Sequence, residues 1–361
     1  MRFIIATGGT GGHVYPALAL AQYMKQEDPD VEILFIGTTN RMEASLVPKL
    51  GYAYKGLYVK GMSGNLLQKG LSGCIFVTSV LKAYVIIKKW KPDMVIGFGG
   101  YPSASAIEAA HLQGIKTLIH EQNSLIGLTN RMLIKRVDAI VCCYQKALQN
   151  FPKDKTYLYG NPRASIAFKQ KAKDIYEKYP LDKNKKLVVI VMGSLGSETI
   201  NQKMIEAIQL LANKPYQTLY VTGKEHYETM QELLGGKRGN VYLVPYIDDM
   251  LSIMKHTDIM VSRAGASTIA EITAMGLPSI LIPSPHVAGN HQEYNARELV
   301  DQQAALMILE KELEATSFVD TIDDMITNDL MIESMKKQAK LISKPNALSD
   351  IYALIKRMLG A

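Results

Sequence analysis

The most constraining feature of this chain is a pattern that it carries twice: a continuous apolar strand, a glycine-rich turn and then a helix. Phe3-Ile4-Ile5-Ala6 runs into Thr7-Gly8-Gly9-Thr10-Gly11-Gly12, and Val188-Val189-Ile190-Val191 runs into Met192-Gly193-Ser194-Leu195-Gly196-Ser197. A strand without alternating polar residues is buried on both faces, which calls for a parallel sheet with helices on either side. The same reading predicts strands at Val31–Ile36, Met94–Gly97, Thr117–His120 and Ala139–Cys142, and in the second half at Leu219–Thr222, Val241–Val244, Ile259–Ser262 and Ser279–Ile282. Amphipathic segments such as Val14–Lys25, Ser103–Leu112, Asn201–Leu211, Thr268–Met275 and Gln292–Leu299 separate them. The expected fold class is α/β: two Rossmann-like, doubly wound parallel-sheet domains facing across a cleft. Asn161-Pro162 and the lysine-rich stretch 169–186 put the joint near residue 163. This gives domains 1–163 and 164–345, with the last helix, 346–361, packing back on the first. In open α/β sheets ligands bind at the carboxyl ends of the strands.

The turns there suit phosphate. Glycines let backbone approach an anion closely, and the following helix supplies free N–H groups. Gly8-Gly9-Thr10-Gly11-Gly12-His13 is not a dinucleotide fingerprint, because the position needing the third glycine is Val14. The second strand also ends, at Gly37-Thr38, without a ribose-binding acid, and no GxxxxGK[ST] run exists. Gly97-Phe98-Gly99-Gly100-Tyr101-Pro102-Ser103, with Ser103 as candidate N-cap, and Ser262-Arg263-Ala264-Gly265-Ala266-Ser267-Thr268 are turns of the same kind. Four such turns argue for more than one phosphorylated ligand. Glu271, in the turns that follow, is either a ribose-diol acceptor or a plain helix N-terminal charge.

With 361 residues, 47% of them hydrophobic, the chain supports two cores, and intrinsic disorder is excluded. A net charge of +7 suggests an anionic partner. Nucleic acid is not expected, since one Trp, no RNP-like aromatic motif and no dense basic run are present. Three cysteines, Cys74, Cys142 and Cys143, make neither a disulfide framework nor a metal spacing and read as buried inert thiols. No segment gives roughly 20 consecutive apolar residues, so a membrane span is not expected. Asp28-Pro29-Asp30 is formally a DxD metal motif but reads as a surface turn between a helix and a strand. No metal and no cofactor are expected.

Taken in order, GGTGGH at 8–13, Gly97–Tyr101, His120-Glu121-Gln122-Asn123, Gly160-Asn161-Pro162-Arg163, Gly193–Ser197, Arg263–Thr268 with Glu271, and His291-Gln292 with Asn295-Ala296 closely resemble the MurG family. Those enzymes transfer N-acetylglucosamine (GlcNAc) from UDP-GlcNAc to undecaprenyl-pyrophosphoryl-MurNAc-pentapeptide, lipid I, in peptidoglycan synthesis. The resemblance spans nearly the whole chain and implies the glycosyltransferase-B fold, with UDP-GlcNAc on the second domain and the lipid acceptor on the first. Carried over, Ser194 contacts the diphosphate, Ile247 contacts uracil through its backbone, and Ala266, Ser267, Thr268, Ile269 and Ala270 pass under the diphosphate. Glu271 binds the ribose and Gln292 the GlcNAc hydroxyls. Thr10, Gly11, Gly12, Asn123 and Arg163 complete the donor set; Gly9, Gly12, His13, Gly99, Gly100 and Tyr101 form the acceptor set. The sequence departs from many members at Met192 and Ser197 and in the direct succession Pro162-Arg163.

The implied chemistry is displacement at the anomeric carbon with inversion. It needs a base and a stabilised leaving group, for which the glycine turns suffice without a metal. His13 opens the first helix, and the ordinary imidazole pKa of about 6.5 suits a base; its other reading is phosphate binding alone. Glu121 and His120 are runners-up. His291 is either part of a sugar-hydroxyl network or a plain helix residue, and His111, His226 and His256 are expected on the surface. A lipid acceptor also implies peripheral attachment to an anionic membrane at the cytoplasmic face. Leu71, Ile75 and Phe76, flanked by Lys82, Lys88 and Lys89, with Lys135 and Arg136 on another helix, are the candidate surface; an ordinary core helix with a basic outer face is the other reading. Other proteins of cell-wall synthesis are expected partners. The rival on the same fold is a UDP-GlcNAc epimerase or another UDP-sugar transferase.

Overall fold

A computed structural model describes residues 1–61, 66–193, 196–235 and 238–361, with 66–69 as backbone only. The chain forms two compact units, Met1–Ser165 with Lys344–Ala361, and Ile166–Ser343.

In the first unit the chain runs β1 (Arg2–Ala6), α1 (Gly11–Glu27), β2 (Glu32–Thr38), α2 (Met42–Lys49), β3 (Ala53–Leu57), α3 (Leu66–Trp90), β4 (Met94–Gly97), α4 (Tyr101–His111), β5 (Lys116–Glu121), α5 (Leu128–Leu133), β6 (Ala139–Cys142), α6 (Gln145–Gln149), β7 (Thr156–Tyr157) and α7 (Pro162–Lys169), the last crossing into the second unit. The second unit continues with β8 (Leu187–Val191), α8 (Glu198–Leu211), β9 (Gln217–Val221), α9 (Tyr227–Leu234), β10 (Val241–Val244), α10 (Met250–Met254), β11 (Ile259–Ser262), α11 (Ala266–Met275), β12 (Ser279–Leu281), α12 (His291–Val300), β13 (Leu306–Met307), α13 (Ala315–Thr327) and α14 (Asp329–Ile342). The last helix, α15 (Ala347–Leu359), belongs to the first unit, where Tyr352 meets Tyr23 of α1 edge to face and Ser165 Oγ accepts from Leu348 N at 3.0 Å.

Among the described residues the first sheet has the order β3-β2-β1-β4-β5-β6-β7 and the second β10-β9-β8-β11-β12-β13. Every pairing is parallel; Ile4 lies beside Leu34 on one side and Val95 on the other, and Val189 beside Leu219 and Met260. Each order reverses at its first strand. There the helices depart to opposite faces and leave a crevice at the strands' carboxyl ends. The turn after β1 (8–12) therefore neighbours the turn after β4 (98–100), and Ser197, after β8, neighbours Arg263, after β11. Four glycine turns scattered through the sequence thus become two crevices, one per unit.

Three strands, β3, β7 and β13, have no counterpart in the sequence reading. All lie at or next to a sheet edge, and β3 alternates exposed with half-buried residues instead of forming an apolar run. Ser103 is not the cap of α4. Gly100 caps it, and Ser103 is buried with its hydroxyl against Gly97. The expectation that no segment is apolar enough to span a membrane also needs correction: Gly70–Trp90 of α3 is long and apolar enough by length and composition. Counting unbroken apolar residues stops at Lys82, but that lysine points outward and donates to Gly56 O at 2.9 Å. The opposite side of α3 is a core face: Val80, Ala83 and Ile87 are buried with Ile107 and Ala110, and Ser79 Oγ lies 2.6 Å from Ser105 Oγ of α4.

Candidate active site

The first crevice is built around His13. Thr10 caps α1 in extended conformation, which places Thr10, Gly11 and Gly12 at the helix's N-terminal end, where amides lack intrahelical partners. Gly9, at φ +92°, is exposed, as are Thr10 and Gly12. His13 is half-buried, and its Nδ1 lies 3.1 Å from Gly8 O. A carbonyl oxygen only accepts, so in this hydrogen bond Nδ1 is the donor. The ring rests on the neighbouring turn: a Cβ on Gly99 would stand 2.9 Å from His13 Nε2, and one on Gly100 would stand 2.5 Å from Gly8 O. Both glycines have positive φ, +89° and +79°. Tyr101 follows as the first residue of α4.

Glu121 and His120 end β5 and are buried. The Glu121 carboxylate accepts from Asn123 N (3.0 Å) and Gly127 N (3.0 Å), from Asn130 Nδ2 (2.8 Å), and at 3.4 Å from Asn123 Nδ2. Its oxygens are occupied in shaping the loop that presents Asn123. His120 stacks on Phe98, and its Nε2 donates to Gly160 O at 3.0 Å. Burial lowers its pKa to about 4, so the ring is neutral. Gly160 leads to Asn161, whose Oδ1 accepts from Arg163 N at 3.0 Å, with Pro162 starting α7. The Arg163 guanidinium lies over the Tyr15 ring, 6.0 Å from its centroid.

The second crevice lies at the N-terminus of α11. Gly265 caps the helix, which sets Ala266, Ser267 and Thr268 in its first turn and Ile269, Ala270 and Glu271 behind them. Ser267 Oγ is buried without a hydrogen-bond partner among the described residues. Glu271 is buried. Gly193 and Gly196 of the adjacent turn have φ of +91° and +77°, and a Cβ on Gly196 would collide with Thr222 O. Ser194 lies outside the described residues. The turn is tied down by Arg263, which pairs with buried Glu310 at 2.6 Å and donates from Nη2 to Ser197 Oγ at 3.1 Å. Ser197, a departure from the family pattern, thus has a structural task. Ile247 is buried just before α10, and Gln292, on α12, is oriented by Ser284 N, which donates to its Oε1 at 2.9 Å.

The other candidates separate from these sites. Asp28-Pro29-Asp30 is a turn at the opposite edge of the first sheet, Asp28 Oδ1 accepting from Asp30 N at 3.1 Å. His291 Nδ1 donates to Ala288 O at 2.8 Å. His111 is exposed, but His226 and His256 are half-buried, and His256 Nε2 donates to Lys173 O at 2.7 Å. Of the thiols, Cys74 is exposed, against expectation, and burial pushes Cys142 up to about 12. On α3, Leu71 and Lys82 are exposed and Ile75 and Phe76 half-buried; Lys88, Lys89, Lys135 and Arg136 are exposed, Arg136 pairing with Glu108 at 3.2 Å.

Sequence reasoning missed Glu43. It searched for an acid at the end of β2 and stopped at Thr38, whereas the carboxylate comes five residues later from α2 and turns back. Glu43 is fully buried, accepting from Thr38 N (3.0 Å), Thr38 Oγ1 (2.7 Å) and Gly9 N (3.3 and 3.4 Å).

Two doubly wound parallel-sheet domains, each with a glycine-lined crevice at its order reversal, are the architecture of the GT-B fold. The chain belongs to glycosyltransferase family 28: residues 3–142 match its N-terminal domain and 187–351 its C-terminal domain. It is 40% identical, over 99% of its length and all of the relative's, to a Bacillus cytotoxicus protein named UDP-N-acetylglucosamine--N-acetylmuramyl-(pentapeptide) pyrophosphoryl-undecaprenol N-acetylglucosamine transferase. A Leuconostoc citreum protein of the same name is 42% identical over 98% of both chains. The crystal structure of Acinetobacter baumannii MurG superposes with a TM-score of 0.81 at 26% identity, covering 99% of both chains.

Proposed function

We propose that this chain transfers GlcNAc from UDP-GlcNAc to the 4-hydroxyl of MurNAc in lipid I, giving lipid II and UDP. The observation that carries this reading over sugar epimerisation on the same fold is the identity of about 40%, along the whole chain, with transferases named for that reaction. The residue roles follow from the chemistry. The acceptor oxygen attacks the anomeric carbon as the bond to UDP breaks, the electron pair leaves with UDP, and the configuration inverts. His13 Nε2 takes the hydroxyl proton. Glu121, its oxygens occupied, positions Asn123 instead. The leaving diphosphate is met by the first-turn amides of α11 and the Ser267 hydroxyl. Glu271 accepts the ribose hydroxyls, Ile247 flanks uracil and the Gln292 amide meets the sugar. Gly9, Gly99, Gly100 and Tyr101 face the acceptor.

The lipid end of that acceptor suits the outer side of α3. Leu71, Val77, Leu81 and Val85 are more than half exposed along one stripe, beside Leu112 and Met132. A groove of about 450 Å³ opens between Val77 and Leu81 on one side and Leu112 and Met132 on the other. With the neighbouring lysines this makes a surface for an anionic bilayer at the cytoplasmic face, and a site near which other cell-wall synthesis proteins would work.

The test mixes purified protein, labelled UDP-GlcNAc and a short-chain lipid I analogue in EDTA. Labelled disaccharide lipid is the expected product. No transfer in EDTA with recovery in magnesium would overturn the metal-free mechanism. Donor binding without transfer under either condition would overturn the acceptor assignment.

A further inference from the structure

Among the described residues the first unit buries two carboxylates, Glu121 and Glu43, and the mechanism above leaves Glu43 without a part. Its position is built: a Cβ on Gly8 would stand 2.6 Å from Glu43 Oε1, and one on Gly37 would stand 2.7 Å from its Cγ. Two glycines therefore open the space into which the carboxylate reaches. From there it takes the Gly9 N–H on both oxygens, while Thr38 fixes it from below. The Gly9 N–H and the Gly8 C=O belong to one peptide unit. That unit is planar and trans, so the two groups point in opposite directions and turn only together. Gly8 O is the acceptor for His13 Nδ1–H.

We propose that Glu43 is a positioning residue: by holding the Gly9 N–H it aims the Gly8 carbonyl at His13, selects the Nδ1–H tautomer and leaves Nε2 as the proton acceptor. This rests on His13 being the base. In the other tautomer Nε2 already carries a proton and cannot accept the one from the sugar. The same hydrogen bond removes Gly9 N–H from anion binding and leaves that task to Thr10, Gly11 and Gly12.

The tautomer is read directly by 15N NMR of the full-length protein labelled at histidine, with His13 assigned by the signals lost in His13→Gln. Wild type is expected to show Nδ1–H and a bare Nε2. Glu43→Gln, which keeps one acceptor oxygen but adds an N–H₂ facing the same donors, should give a mixture of tautomers. It should also lower kcat about 10- to 100-fold, the scale of a misplaced catalytic group, with KM for UDP-GlcNAc within about twofold. Should that variant not fold, Glu43→Asp, which draws the charge back by one methylene, is expected to give the same mixture. Thr38→Val, which spares the Gly9 bond, should leave the tautomer alone. An Nε2–H tautomer in wild type overturns the proposal, as does a folded Glu43→Gln with His13 unchanged. A tautomer that responds in a protein that does not transfer to lipid I would sink the transferase reading and leave this coupling standing. Transfer with an unresponsive tautomer does the reverse.

Discussion

At the scale of single residues, the site depends on side chains that are missing. Gly99 has no Cβ because the His13 ring occupies that space, so Gly99→Ala must push the imidazole aside or distort a backbone already at φ +89°. We expect turnover to fall about 100-fold, with a stability loss of only about 1 kcal/mol by thermal denaturation. His120 gives a pH prediction. Buried and neutral, it has a pKa of about 4, while in the unfolded chain it protonates near 6.5. Between those values the unfolded state binds the extra proton. The stability this residue contributes is therefore complete above about pH 6.5 and is lost as pH falls toward 4, about 3 kcal/mol in all. Melting curves of wild type and His120→Gln from pH 4.5 to 7.5 should converge at the acid end; parallel curves would show that His120 is not the group. The glycines, His13 and the His120–Asn123 run were legible in sequence because short turns announce themselves. Glu43 was not, since nothing in Arg41-Met42-Glu43 says that the side chain folds back under a loop 34 residues earlier. The occupied state of Glu121 was equally invisible, its partners being backbone amides and Asn130.

At the scale of elements, central strands were easy to read and edge strands were not. β1, β4, β6 and β8 are unbroken apolar runs because helices cover both faces, whereas β3 faces the core on one side only. The same ambiguity applies to α3, whose composition alone suits a bilayer, a core or both. Its packing separates a buried face at Val80, Ala83 and Ile87 from an exposed one at Val77, Leu81 and Val85. Replacing Leu81 and Val85 together by Asp should abolish sedimentation with anionic vesicles at low salt while sparing turnover of a water-soluble acceptor; loss of both would point to a damaged core. In the second unit α11 presents its N-terminus and Glu271 from one rigid element. UDP at about 100 times its dissociation constant should stabilise the wild type by about 2.7 kcal/mol. Glu271→Ala should lose most of that at the same UDP concentration; an unchanged melting shift would remove Glu271 from the ribose.

At the scale of the molecule, the repeat seen in the opening motifs of each half proves to be a repeat of strand order as well, 3-2-1-4-5-6 in both sheets with one strand added to the first. Two strand–glycine–helix units and the right-handed crossovers that parallel strands require implied the doubly wound class, but not this order, since β3 and β13 were not readable as strands. The chain path is what the repeat alone does not dictate. It leaves the first unit after Ser165 and returns at Lys344, so the second unit is an insertion in the first. A nick after Ser343 leaves the second unit joined to residues 1–165, one after Ser165 leaves it joined only to the last helix, and freeing it of both takes two cuts. The path also sets an order of assembly on the ribosome. Residues 166–343 can finish their fold while the first unit, although translated earlier, still lacks the helix that covers α1. Shortening the carboxyl end would therefore be felt at the amino-terminal lobe, beside the helix that carries His13, and not in the sequence nearest the cut.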